Sequence, residues 1–199
     1  METNDGGPAM VIGAPWRLNG ECYNAALVLD NGKIETVRFK YHLPNYGVFD
    51  EKRVFQEGQL SGPVSIRGVR FSLLICEDMW FSDVSETALE SGADILVVLN
   101  GSPYEIEKNN SRLSHAIARV SETKKPLIYI NQIGGQDELV FDGGSFVLNA
   151  DRGLVVQASW WKEVLTYTNW AKSSNGWFCK TSSLSKDLLK LENIYNAMV

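Results

Sequence analysis

Apolar and β-branched residues in the first half of the chain come in short runs separated by turn residues, which reads as strands joined by tight turns. Residues 24–30 form one such run, Asn31-Gly32 follows, and 33–40 returns with Ile34, Thr36, Val37 and Phe39. Asn-Gly between two β-rich runs predicts a hairpin, because both residues tolerate the positive φ of a type I′ turn. Residues 43–47 predict a loop, since Pro44 and Gly47 interrupt any regular element.

From Val69 the pattern changes. Val69 to Ile75 has the length and branching of a buried strand, and Ser82 or Asp83 is placed to cap a short helix through Ser91 that Gly92 ends. Residues 94–99 predict a second buried strand. Residues 105–123 predict a helix, with Leu113, Ala116, Ile117 and Val120 recurring on one face, Lys124 and Lys125 at its C-terminal end and Pro126 as its stop. A third strand follows over 126–131. Strand, helix, strand, helix, strand implies a layered α/β domain with helices covering a sheet face. Residues 138–148 and 153–158 predict a last strand pair turning at 149–153. Beyond Ser159 the period weakens, four of the six tryptophans appear (Trp160, Trp161, Trp170, Trp177), and a helical stretch over 183–199 puts Leu188, Leu191, Ile194 and Tyr195 on one face.

The chain has 199 residues, 44% hydrophobic and 22% charged, enough for one soluble domain with a sizeable core. A net charge of -5 argues against nucleic acid as a partner, since phosphate neutralisation needs a basic face. No apolar run approaches the roughly 20 residues that span a bilayer. Residues 1–8 carry no basic segment followed by an apolar one, so no secretory signal is expected. Three widely spaced cysteines, Cys22, Cys76 and Cys179, make neither a disulfide framework nor a metal cluster, which points to a reducing cytoplasm.

Cys76 is the most suggestive position. It ends a buried strand and precedes Glu77-Asp78-Met79-Trp80, the setting of a nucleophile elbow in which the next backbone N–H faces a developing oxyanion. A buried structural cysteine fits the same position. A reactive thiol needs a base or a neighbouring cation. His42, in a loop, and His115, on the predicted helix, are the only histidines, and Lys40 at the end of a hairpin strand is the alternative. Glu51 belongs to a charge cluster that fits a solvated turn. Asn100-Gly101-Ser102-Pro103 follows a buried strand, where α/β sheets bind ligands. Gly134-Gly135-Gln136-Asp137 and Asp142-Gly143-Gly144 read as turns, and neither fits a nucleotide-binding fingerprint.

Together these segments resemble one family. Residues 40–55, Lys-Tyr-His-Leu-Pro-Asn-Tyr-Gly-Val-Phe-Asp-Glu-Lys-Arg-Val-Phe, resemble the lysine motif of the nitrilase (carbon-nitrogen hydrolase) superfamily, in particular of the glutaminase domains of glutamine-dependent NAD synthetases. Ile75-Cys76-Glu77-Asp78-Met79-Trp80 resembles its nucleophile motif, and 100–105 and 131–143 are similar to its later signatures. The likeness covers about residues 6–158. It implies an αββα sandwich and a glutamine amidohydrolase that forms a thioester on Cys76 and releases ammonia for amidation of deamido-NAD. Lys40 would support the thiolate and oxyanion, and Glu51 would orient Lys40. Tyr46, Glu77 and Ser102 match positions that hold the substrate. No metal or cofactor is implied for this chain; ATP and magnesium would serve an absent synthetase domain.

The resemblance also implies departures. The family's general-base glutamate lies well upstream of the lysine motif, and none of Glu2, Asp5, Glu21, Asp30 or Glu35 sits in its sequence context. The expectation is therefore a glutaminase domain over 1–159, lacking its first strand and helix, with 160–199 as linker and opening of the absent synthetase domain. Glutamine, that domain and further copies of the chain are the expected partners. A catalytically inactive scaffold and another amidase of the same superfamily remain as alternatives.

Overall fold

The computed structural model describes residues 6–199. Three antiparallel strands open it: β1 (Met10–Leu18), β2 (Glu21–Asp30) and β3 (Lys33–Phe39). Two Asn-Gly pairs join them, Asn19-Gly20 at φ 52 and 89 and Asn31-Gly32 at φ 52 and 74, both in the left-handed region that two-residue hairpin turns require. The second hairpin is the predicted one. The first was not predicted, because Gly13 and Pro15 interrupt the apolar run of β1. As the outer strand of this sheet, β1 tolerates a proline that a central strand would reject.

The strands that follow are β4 (Val64–Ile66), β5 (Val69–Ile75), β6 (Ile95–Asn100), β7 (Leu127–Asn131), β8 (Ile133–Gln136), β9 (Leu139–Asp142), β10 (Phe146–Leu148), β11 (Leu154–Gln157), β12 (Trp170–Ser173) and β13 (Gly176–Cys179). The helices are α1 (Ser82–Glu90), α2 (Lys108–Thr123) and α3 (Lys190–Met198). A six-stranded sheet runs β11-β10-β7-β6-β5-β4, with β5, β6 and β7 parallel as the strand-helix alternation predicted. Its central strands are apolar nearly throughout because both faces are covered. On one face Leu74, Leu96, Val98, Leu127 and Tyr129 pack against Val84 and Ala88 of α1 and Ala116 and Val120 of α2. On the other, Leu73, Ile75, Ile95 and Val97 meet Ala26 and Val28 of β2, so two sheets lie face to face under a helical layer. This is the expected nitrilase-type α/β arrangement. Among the described residues, no helix is long and apolar enough to cross a membrane.

Five expectations need correction. Ser82 opens α1 rather than capping it, and Asp83 sits in the first turn. Helix α2 begins at Lys108 instead of 105, because Glu107 adopts φ 69 and cannot continue a right-handed helix. The strand read over 138–148 is two strands in two sheets: β9 pairs with β8, β10 joins the large sheet, and the chain breaks at Gly143 and Gly144 with φ 69 and 63. Gly134 to Gln136, read as a turn, is β8 itself, and the turn falls at Asp137 (φ 50). The fifth concerns the C-terminal segment. Its helix shortens to α3, whose predicted apolar face is open, with Leu191 78% and Tyr195 66% exposed. The hairpin of β12 and β13 before it was not predicted.

Gly144 shows why the 138–148 segment must break. A β-carbon there would overlap the indole of buried Trp160, and its φ of 63 is left-handed. Gly144→Ala is expected to destabilise the fold by about 1–3 kcal/mol, the range for overpacking a filled site. A lowered urea midpoint with an unchanged m-value would check it.

Candidate active site

The parallel strands β5, β6 and β7 deliver three loops to the same edge of the sheet. Cys76 follows β5, Asn100-Gly101 closes β6, and Asn131-Gln132 closes β7. The pairings Ile75↔Leu99 and Asn100↔Asn131 put these ends level with one another. Carboxyl ends of parallel strands are where open α/β sheets bind ligands. Strand β3 of the small sheet ends beside them at Lys40.

Lys40 is only 1% exposed, not the solvated strand-end lysine its position alone would suggest. Its N–H donates to the carbonyl of Asn24, and its own carbonyl accepts from Gly58. A β-carbon at Gly58 would collide with the Phe39 side chain and the Lys40 carbonyl, so glycine lets that segment close over Lys40. Lys40 Nζ donates to Glu51 Oε1 at 2.6 Å. Glu51 stands on a 3-10 turn, Glu51–Arg53, tied back by its N–H to the carbonyl of Pro44. The Asn24 side-chain amide donates to the other Glu51 oxygen at 3.5 Å. An ammonium this far from water requires such a partner.

Cys76 opens a short 3-10 turn, Cys76–Trp80, at φ 50. A non-glycine residue in the left-handed region is strained, and such strain gathers at functional positions. The first amides of a helical turn have no partner within it, so they are free to receive an anion. Burial pushes the Cys76 thiol up, and Lys40 opposes it. Glu51 and Glu77 also push it up, while the Gly101 N–H, directed at the sulfur, pulls it down. The net direction is upward. Alkylation of Cys76 by iodoacetamide is therefore expected to keep accelerating as pH passes the ordinary thiol value, with no plateau there. Peptide mapping of the Cys76 label against pH would check this.

Lys40, Glu51 and Cys76 share a cleft of about 570 Å³ with β1, Asn100, Gly101 and Gln132. That volume is in the range of small-molecule sites. Glu51 is the one carboxylate among the described residues lining it. The other expected site residues stand apart from this lining. The Tyr46 hydroxyl donates to Glu77 Oε2 at 2.6 Å, and burial together with that carboxylate raises the phenol pKa. Ser102 is buried, with Arg112 Nε donating to its hydroxyl at 3.0 Å and its N–H bound to Asn131 Oδ1. Arg112 also makes a two-pronged ion pair with Asp142 at 2.8 and 2.9 Å. Neither histidine serves the thiol: His42 bonds Asp83 at 2.8 Å and stacks on Phe81, and His115 stacks on Trp80.

Asn24, Arg112, Asp142 and Asp78 were not singled out from the sequence. Asn24 had one local sign, a polar residue inside a β-rich run. Arg112 and Asp142 meet across 30 positions and Asp78 meets Tyr41 and His42 across 37 and 36, pairings that leave no local trace. No cluster of three or more potential metal ligands occurs among the described residues.

Residues 1–172 match the family model for carbon-nitrogen hydrolases. The chain is 38% identical over 193 residues to the glutamine-dependent NAD(+) synthetase of Rhodobacter capsulatus, covering 97% of this chain and 35% of that protein. The solved glutamine-dependent NAD+ synthetase of Acinetobacter baumannii superposes with a TM-score of 0.89 at 35% identity, covering 96% of this chain and 36% of that one. An amidase from Nesterenkonia sp. AN1, solved with acrylamide added at its active-site cysteine, gives a TM-score of 0.63 at 29% identity over 76% of this chain and 59% of its own. The chain thus spans about a third of the length of the synthetases it matches. Fold, motif order and family model agree: the chain belongs to the carbon-nitrogen hydrolase family.

Proposed function

We propose that this chain is a glutamine amidohydrolase unit that supplies ammonia to NAD synthesis. The observation that carries it is the buried Lys40–Glu51 pair facing a backbone-strained Cys76 in one cleft. Cys76 Sγ attacks the side-chain amide carbon of glutamine and forms a C–S bond as its proton passes to a base. The oxyanion is met by the Lys40 ammonium and the N–H of Glu77. Collapse breaks the C–N bond, ammonia leaves with a proton, and the glutamyl thioester is hydrolysed by water to glutamate. Tyr46, Glu77 and Ser102 shape the ground that receives the amino-acid end of the substrate.

The chemistry is assigned to this chain's own side chains and backbone, and ATP and magnesium to a separate synthetase unit acting on deamido-NAD. Residues 1–159 form the glutaminase domain and 160–199 lead toward that unit. Assembly into homo-oligomers and a cytoplasmic setting complete the proposal.

One observation favours a second reading, a non-catalytic scaffold. Glu51 is engaged by Lys40 and Asn24, and Glu77 by Tyr46, so both carboxylates near the thiol are already occupied. Loss of a positioned base costs about 10²–10⁴ in rate. The deciding measurement is glutamate and ammonia released from glutamine by this chain, with Cys76→Ala alongside and simple acyl amides as competing substrates. Release from glutamine that vanishes in the variant supports the glutaminase. Preference for simple amides favours a different amidase, and silence from folded protein gives the scaffold precedence.

A further inference from the structure

Asp78 is a buried acid with no role in the chemistry above. It is 2% exposed and forms no ion pair among the described residues, yet its carboxylate is fully engaged. Oδ1 accepts the backbone N–H groups of Tyr41 at 3.1 Å and His42 at 2.8 Å, and Oδ2 accepts that of Ile75 at 3.0 Å. Tyr41 is the residue after Lys40, and Ile75 is the residue before Cys76.

The two strand ends thus joined lie in different sheets, β3 in the small one and β5 in the large one. Backbone ladders fix strands within a sheet; between the sheets an Arg67–Asp30 ion pair lies at the opposite end of β5 from Cys76, and along the strands apolar side chains meet, Ala26 and Val28 against Leu73 and Ile75. Such packing is non-directional and sets separation better than the alignment of particular atoms. A carboxylate taking N–H groups from both sides supplies that direction, because charge-assisted hydrogen bonds are short and geometrically demanding. The bond from the Ile75 N–H to Asp78 Oδ2 closes a short loop that contains Cys76, whose φ is 50.

We propose that Asp78 is a positioning residue that sets the Lys40 ammonium against the Cys76 thiol by binding the ends of both strands on one carboxylate. The proposal rests on Cys76 being the nucleophile and Lys40 its supporting cation. Asparagine separates the two arms, because it keeps one acceptor oxygen and turns an NH₂ donor toward the N–H on the other side. The strand ends are then no longer tied to one group, and Lys40 loses its fixed place beside the sulfur.

The test is a double-mutant cycle read by the rate of iodoacetamide labelling at Cys76, followed on its own peptide so that Cys22 and Cys179 do not contribute. In the parent, Lys40→Met is expected to slow labelling roughly tenfold at pH 8, through loss of thiolate support. In Asp78→Asn, the same Lys40 substitution is expected to change the rate by less than about twofold, the coupling having gone. Equal factors in the two backgrounds would overturn the proposal, since a merely structural Asp78 leaves the Lys40 effect intact. Should Asp78→Asn not fold by circular dichroism, the cycle is run on Asp78→Glu, which keeps the buried charge but displaces it by one methylene, with the same criterion. If Lys40→Met has no effect in the parent, the role given to Lys40 itself fails, and this proposal with it. Labelling needs no turnover, so a chain silent toward glutamine still gives an answer.

Discussion

Lys40→Met is expected to lower glutamine turnover by about 10²–10³-fold, the loss found when one preorganised donor to an oxyanion is removed. The side chain is buried and held at 2.6 Å by Glu51, so its charge is already in place before substrate arrives. Because the substrate carbonyl carries little charge and the tetrahedral oxygen carries much, kcat and kcat/KM are expected to fall together while KM changes little. Methionine keeps the volume and removes the charge. It also leaves Glu51 without its ion-pair partner, so Lys40→Met with Glu51→Gln belongs beside the single variant. Turnover that stays low in the pair while stability returns assigns the loss to catalysis. Turnover restored by Glu51→Gln would show that the damage came from the stranded carboxylate.

Arg112→Ala is expected to cost about 3–5 kcal/mol of folding stability, the price of breaking a buried ion pair from one side. Its guanidinium serves both Asp142 oxygens, the Ser102 hydroxyl and carbonyl, and the Pro103 carbonyl at 2.7–3.0 Å. Alanine leaves all of these in a site that water barely reaches. The loop it holds, 100–104, carries the Gly101 N–H that faces the Cys76 sulfur, so labelling of Cys76 is expected to slow as well. Arg112→Met with Asp142→Leu removes both charges and fills the space, and should recover much of the stability. Urea unfolding of the three proteins checks the order. An alanine variant within 1 kcal/mol of the parent would refute the assignment.

Elements with strong local signals were legible from the sequence. The Asn31-Gly32 turn, the apolar runs of β5, β6 and β7, and the spacing of Leu113, Ala116 and Val120 on α2 each follow from chemistry within a few positions. What escaped was decided at a distance. Strand β1 looks broken at Gly13 and Pro15 until its place at a sheet edge makes both acceptable. The strands of the β12–β13 hairpin are four residues each, too short to show an apolar period, and the glycines of β8 imitate a turn. In α3 the helical period was real, but Leu191 and Tyr195 on its apolar side stay exposed, since periodicity reports the face and not its partner. At the site, Cys76, Lys40 and Glu51 came through their motifs, and the structure gathers them in one cleft. The roles of Asn24, Asp78 and Arg112 depend on partners from other elements.

The left-handed backbone at Cys76 has a bearing on how such a chain changes over generations. An L-residue at φ 50 costs about 1–2 kcal/mol relative to glycine, which adopts that conformation freely. Replacing Cys76 by glycine therefore discards the sulfur and relaxes the main chain in a single codon-level step. Under the proposed chemistry, selection for the thiol would oppose that exchange, and a lineage released from it would be expected to drift toward a sturdier, inert descendant.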